Sequence, residues 1–222
     1  MMPMFKTLII FAALLAALPA AAQSSRSGRG EIYIGPVFTD SKSYSFQGGT
    51  TAKTDTGFGI NFGYAHNFNS HVQAGMDLAW SEADYRAVVQ PGVGNGNNAA
   101  TISGTLETGT VRFFGSYHFL TGPFTPFVTG GMGWTYIDSN IPAGLPEFFC
   151  WYYPWYGQYC ASYVPTYSTT RFSYNAGAGL RLDAGRGVFR FLLNSQWMDF
   201  GGSYGSGSAN VIQYRFDFGT KF

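Results

Sequence analysis

At 222 residues the chain has room for one domain, or one domain with a small appendage, and its formal net charge of +1 provides no electrostatic basis for holding a nucleic acid. Charged residues make up only 11%, well below the quarter usual in soluble domains, whereas aromatics reach 18% and glycines number 30. That combination argues against an ordinary soluble globule and suits a sheet whose outer face meets lipid.

Met1 to Ala22 has the pattern of a secretory signal peptide: Lys6 as the positive region, an apolar stretch from Leu8 to Leu18, and the small-residue site Ala20-Ala21-Ala22. Cleavage is expected near Ala22. The apolar stretch is too short to span a bilayer as a helix, and no other long apolar run occurs, so the exported chain is not a helical membrane protein. Gln23 to Gly30, rich in Ser, Arg and Gly, reads as a mobile lead.

The first predicted strand, Glu31 to Asp40, sets Ile32, Ile34, Pro36 and Phe38 against Tyr33, Gly35, Val37 and Thr39. Ser41 to Asp55 reads as a long polar loop. Thr56 to Phe68 alternates Phe58, Ile60, Phe62 and Tyr64 with Gly57, Gly59, Asn61 and Gly63. After a tight turn at Asn67 to Ser70, the third strand sets Val72, Ala74, Met76, Leu78 and Trp80 against Gln73, Gly75, Asp77 and Ala79. Glu82 to Gly104, with its Gly/Asn run, is expected to be a flexible loop.

The fourth strand covers about Leu106 to Phe119, with Val111, Phe113, Tyr117 and Phe119 opposite Thr108, Thr110, Arg112 and His118. Thr121-Gly122-Pro123 turns the chain into the fifth, Phe124 to Asp138. A long excursion from Ser139 to Thr169 carries both cysteines. The sixth strand, Thr170 to Asp183, and the seventh, Val188 to Phe200, flank the short turn Gly185-Arg186-Gly187. A Gly/Ser loop leads to the eighth, Ala209 to Phe222, whose even positions Ile212, Tyr214, Phe216, Phe218 and Phe222 oppose Gln213, Arg215, Asp217 and Lys221.

Long and short connections alternate without exception along these eight strands. In an up-and-down meander this gathers the long loops at one rim and the tight turns at the other, the arrangement of an all-β, eight-stranded antiparallel transmembrane barrel. A secreted ligand-carrying barrel has the same strand count, but the faces separate the two cases. The polar face is crowded with Gly57, Gly59, Gly63, Gly75, Gly131, Gly133, Gly177, Gly179 and Gly219. Glycine weakens a strand and is of no use on a solvated outer face, whereas a narrow lumen needs it so that long charged groups fit. Tyr64, Phe68, Trp80, Tyr117, Trp134, Tyr136, Trp197 and Phe222, all near strand ends, are expected to form the interfacial girdles.

Three features carry a resemblance: the terminal strand Tyr214-Arg215-Phe216-Asp217-Phe218-Gly219-Thr220-Lys221-Phe222, the segment Thr125-Pro126-Phe127-Val128-Thr129-Gly130-Gly131-Met132-Gly133, and the signal peptide. From about Glu31 to Phe222 the chain resembles the small outer-membrane β-barrel family, which includes the transmembrane domain of outer membrane protein A and the opacity-type surface proteins. The resemblance implies a bacterial outer-membrane location, outer-membrane lipid around the barrel, and delivery to the barrel assembly machinery, with Tyr214, Phe216, Phe218 and Phe222 as the assembly signal. No second domain follows the barrel, so peptidoglycan anchoring is not implied.

The lumen is expected to hold Asp77, Glu107, Arg112, Arg171, Arg181, Asp183, Arg190, Arg215, Asp217 and Lys221, both signs in numbers that permit pairing. This predicts a salt-bridged plug, with a narrow porin-like channel for ions or small solutes as the alternative. A lipid acyl-chain enzyme is a more distant reading. His66, His71 and His118 all fall by the short turns, and Ser116 with His118 is a weak pair. No catalytic residue, metal or cofactor is expected.

Cys150 and Cys160 suit an oxidising compartment and one disulfide, and their spacing lacks the closeness of redox or zinc motifs. Around them crowd Trp151, Tyr152, Tyr153, Trp155 and Tyr156. Two readings stand open: a rigid aromatic surface for a protein or glycan partner, or a loop folded on the barrel mouth or the lipid headgroups. The reading adopted is a structural or adhesion-like surface role through long external loops.

Overall fold

The computed structural model describes residues 26–45, 51–89, 100–142, 147–153, 155, 157–163, 166–200 and 207–222. The signal peptide and the Gly/Asn run lie outside them. Twelve strands occur among the described residues: β1 (Gly30–Thr39), β2 (Lys42–Ser45), β3 (Thr51–Thr54), β4 (Gly57–Asn67), β5 (Val72–Val89), β6 (Ala100–His118), β7 (Phe124–Pro142), β8 (Glu147–Tyr153), β9 (Gly157–Tyr163), β10 (Thr166–Ala184), β11 (Gly187–Phe200) and β12 (Gly207–Lys221).

Eight of these close a ring. Each of β1, β4, β5, β6, β7, β10, β11 and β12 pairs antiparallel with the next, and β12 returns to β1. The register fixes how they close. Starting from Gly219 opposite Tyr33 and following partners through Gly63, Asp77, Arg112, Gly133, Ser173 and Met198, the path returns to β12 at Ala209, ten residues from its start. That stagger tilts the strands, and with eight of them the interior is only wide enough for side chains.

Alternation decides which side chains meet lipid. Ile34, Phe58, Ile60, Phe62, Phe113 and Phe216 stand exposed on the outer wall, while Arg181, Arg215, Asn61 and Asn194 are buried inside. Such an inside-out distribution is stable only where the outer face meets hydrocarbon. Tyr64, Phe68, Tyr117 and Phe222 ring the turn end and Trp80, Trp134 and Tyr136 the loop end, all exposed. On the polar face glycine makes room: a Cβ at Gly63 would strike the Tyr33 ring.

Two departures from the sequence reading concern what lies beyond the membrane. The strands β6, β7 and β10 each run for 19 residues and β5 for 18, although crossing takes about 9–11. They therefore project past the bilayer as a wall, widened by β3 pairing with β5 and β2 with β3. The expected loops hide this sheet because its outer face meets water and carries Glu82, Asp84, Arg86 and Glu107, so no apolar lipid-facing set marks it. Residues 26–29, read as the end of a mobile lead, are also packed. Arg26 is buried, and a turn through Gly28, at φ 72°, lets Gly28 N–H donate to the Asn67 carbonyl at 2.7 Å.

Phe222 finishes the closing seam. Its N–H donates to the Gly30 carbonyl at 3.0 Å and its ring lies 6.4 Å from that of Tyr64. Deleting Phe222 is expected to lower the amount of folded barrel in the outer membrane of cells while leaving refolding into detergent micelles intact, both read by heat-modifiable mobility on gels. Unchanged levels in cells would remove the assembly role from this residue.

Candidate functional site: a filled lumen and an aromatic hairpin

The lumen is layered from turn end to loop end. At the turn end Glu31 is the hub: Arg181 Nη2 donates to it at 2.7 Å, Arg190 Nη1 at 3.3 Å and Asn67 Nδ2 at 3.2 Å, with Gln73 as a fourth donor. Asp183 accepts from Arg181 at 3.0 Å and forms ion pairs with Lys221 at 3.2 Å and Arg26 at 3.4 Å. Further in, Asp77 binds Arg112 and, at 3.0 Å, Arg215, while Asp217 binds Arg190 at 3.0 Å and accepts from Asn61 at 3.0 Å. The Arg190 guanidinium also lies 3.7 Å from the centroid of the Tyr33 ring, a cation–π contact.

Above the charges comes a neutral layer. The amides of Asn175 and Asn194 meet at 2.8 Å, Gln213 donates to Gln196 at 3.0 Å, and Gln196 donates to Thr135 at 2.7 Å. Nearest the loops, Ile137, Met198 and Ala209 form an apolar cap with Leu106 and Val211. The cavity left among the charges is about 10 Å³, room for one water-sized guest.

The structure thus brings together Asp77, Arg112, Arg181, Asp183, Arg190, Arg215, Asp217 and Lys221, all buried. Glu107 corrects the expectation. It is exposed, one step out of parity with the inward Arg112, and stands between Glu82 and Asp138 of the neighbouring strands on the projecting wall. Water reaches that height, so a carboxylate there needs no cationic partner. Arg171 is only half-buried. Sequence reasoning missed Glu31, although it shares the parity of the lumenal Tyr33, and Arg26, whose segment has no strand period to place it.

Ser116 and His118 are not hydrogen-bonded to each other: Ser116 Oγ donates to Thr129 at 3.0 Å, and neither ring nitrogen of the buried His118 has a hydrogen-bond partner. Among the described residues no cluster of three or more His, Cys, Asp or Glu side chains is arranged to hold a metal ion.

The second site is the hairpin β8–β9. Cys150 pairs directly with Cys160 across it and the two form a disulfide, with Trp151 opposite Tyr159, Tyr152 opposite Gln158 and Tyr153 opposite Gly157. Gly157 takes φ 79°, which a side chain would resist, and so starts the return strand. Closing so short a loop contributes about 2–3 kcal/mol against opening. Tyr152 is 74% and Trp155 88% exposed. Of Trp151 and Tyr153 only the backbone register is described, and Tyr156 lies outside the described residues.

An antiparallel eight-stranded ring with a charged, filled interior and an apolar outer wall belongs to the transmembrane β-barrels. The chain matches the family described as outer membrane protein beta-barrel domain over residues 9–218 and belongs to it, which places it in the bacterial outer membrane. No curated protein matches by sequence. Among solved structures it is similar to Neisserial surface protein A, at 11% identity and a TM-score of 0.51 over 87% of this chain and 97% of that one. It is also similar to OprG from Pseudomonas aeruginosa, at 14% identity and TM-score 0.49 over 90% and 99%. A third is Ail, the attachment invasion locus protein of Yersinia pestis in complex with the heparin analogue sucrose octasulfate, at 14% identity and TM-score 0.48 over 88% and 99%. At these identities the likeness concerns the fold.

Proposed function

We propose that this protein is a closed outer-membrane scaffold whose activity lies outside the barrel, in a disulfide-tied aromatic hairpin that binds a protein or glycan surface. In this reading Met1 to Ala22 is removed on export, the barrel assembly machinery inserts residues 31–222, and the loop end faces outward. The observation that carries it is the exposure of Tyr152 on a strand pair held by Cys150–Cys160, and of Trp155 in the turn between its two strands. A large aromatic kept in water on a rigid support loses little entropy on binding and supplies much contact area. The solute channel has less support, because charged, amide and apolar layers follow one another along the lumen. The acyl-chain enzyme has less still, since Ser116 is bonded to Thr129 and not to a base.

The test is binding of intact bacteria, with and without the protein, to immobilised host-surface proteins and neutral glycans. Trp155→Ala is expected to weaken capture by at least roughly tenfold, as loss of an anchoring aromatic does, and mild reduction should weaken it less. Equal capture by bacteria lacking the protein would end the interaction reading, and undiminished capture by the variant would move the contact away from the hairpin.

A further inference from the structure

The charges of the lumen do not balance. Among the described residues six buried cations, Arg26, Arg112, Arg181, Arg190, Arg215 and Lys221, face four buried carboxylates, Glu31, Asp77, Asp183 and Asp217. At the turn end Arg26, Arg181 and Lys221 all pair with Asp183. In the centre Arg112, Arg190 and Arg215 meet Asp77 and Asp217, and Arg190 also reaches Glu31 of the turn-end network at 3.3 Å.

An excess charge in a low-dielectric interior is costly unless a counter-charge accompanies it. The same three arginines line the 10 Å³ cavity, and the Nε–H of each is buried without a protein hydrogen-bond partner. Asp77 and Asp217 also line it, and Asp77 Oδ1 likewise lacks a partner, so a water bridging donor and acceptor is the competing occupant. A water would satisfy hydrogen bonds but leave the charge. We infer that the centre of the barrel binds one small monovalent anion, of the halide class, between Arg112, Arg190 and Arg215 as an internal counter-ion of the plug.

The experiment uses the protein purified from outer membranes in detergent. Urea unfolding is followed in sodium chloride, sodium bromide and sodium gluconate at constant ionic strength, and crystals grown in bromide are examined for anomalous scattering. The expected result is a bromide peak within hydrogen-bond reach of the three guanidinium groups. Each tenfold rise in chloride above its dissociation constant should raise the folding equilibrium constant about tenfold, with gluconate inert. Leu192→Asp, at a cavity-lining residue paired with Arg215, supplies a covalent counter-charge and should flatten the chloride dependence. Water at the site without bromide, or gluconate matching chloride, overturns the proposal. Should the variant not fold, the bromide density and the salt comparison on the unaltered protein still decide.

Discussion

Glu31→Gln is expected to lower the free energy of unfolding by about 3–5 kcal/mol, the usual cost of removing one partner from a buried ion pair. The carboxylate is buried and accepts from Arg181, Arg190, Gln73 and Asn67 at once. Glutamine keeps the volume but removes the charge and turns two donors toward two guanidinium groups. The control is the surface pair Lys53–Asp55, whose side chains are 61% and 65% exposed. Solvent screening reduces such a pair to about 0–1 kcal/mol, so Asp55→Asn should leave stability nearly unchanged. Both are read by urea unfolding in micelles. A loss below about 1 kcal/mol at Glu31 would mean that water enters the turn end and that the network does not hold the barrel shut.

The second large effect is on conduction. The purified barrel in planar bilayers is expected to show no steady single-channel current, and reducing Cys150–Cys160 should leave it silent. Three successive layers fill the lumen, and none of them includes the hairpin. Opening a path requires several buried groups to move together, each of which would leave its partners unsatisfied in a narrow interior. Steady current in the oxidised protein would restore the channel reading and would require a lumen that rearranges. Current appearing only on reduction would make the hairpin a gate.

What the sequence determined by itself was the barrel. Strict alternation in strands such as Phe58 to Tyr64 and Ile212 to Phe222 assigns every residue to lipid or lumen, because a slip of one position would turn the charged set outward. The same parity put Asp77, Arg112, Arg181, Arg190 and Arg215 inside, and their burial follows. Apolar alternation marks a strand only where the two faces meet different media. Above the bilayer the outer face meets water and carries Glu82, Asp84, Arg86 and Glu107 in place of apolar side chains, which is why β2, β3 and the outer halves of β5 and β6 were legible only as loops; Glu107 shares the parity of the outward Val111, so the alternation itself already set it outside. Pairing partners are likewise a property of closure: the ten-residue stagger brings Glu31 at the start of the barrel beside Arg181 and Arg190 near its end, and folds Arg26 under Asp183. No local pattern encodes contacts between residues about 150 positions apart. Only the tertiary structure decides them, and with them the excess of positive charge at the centre of the lumen.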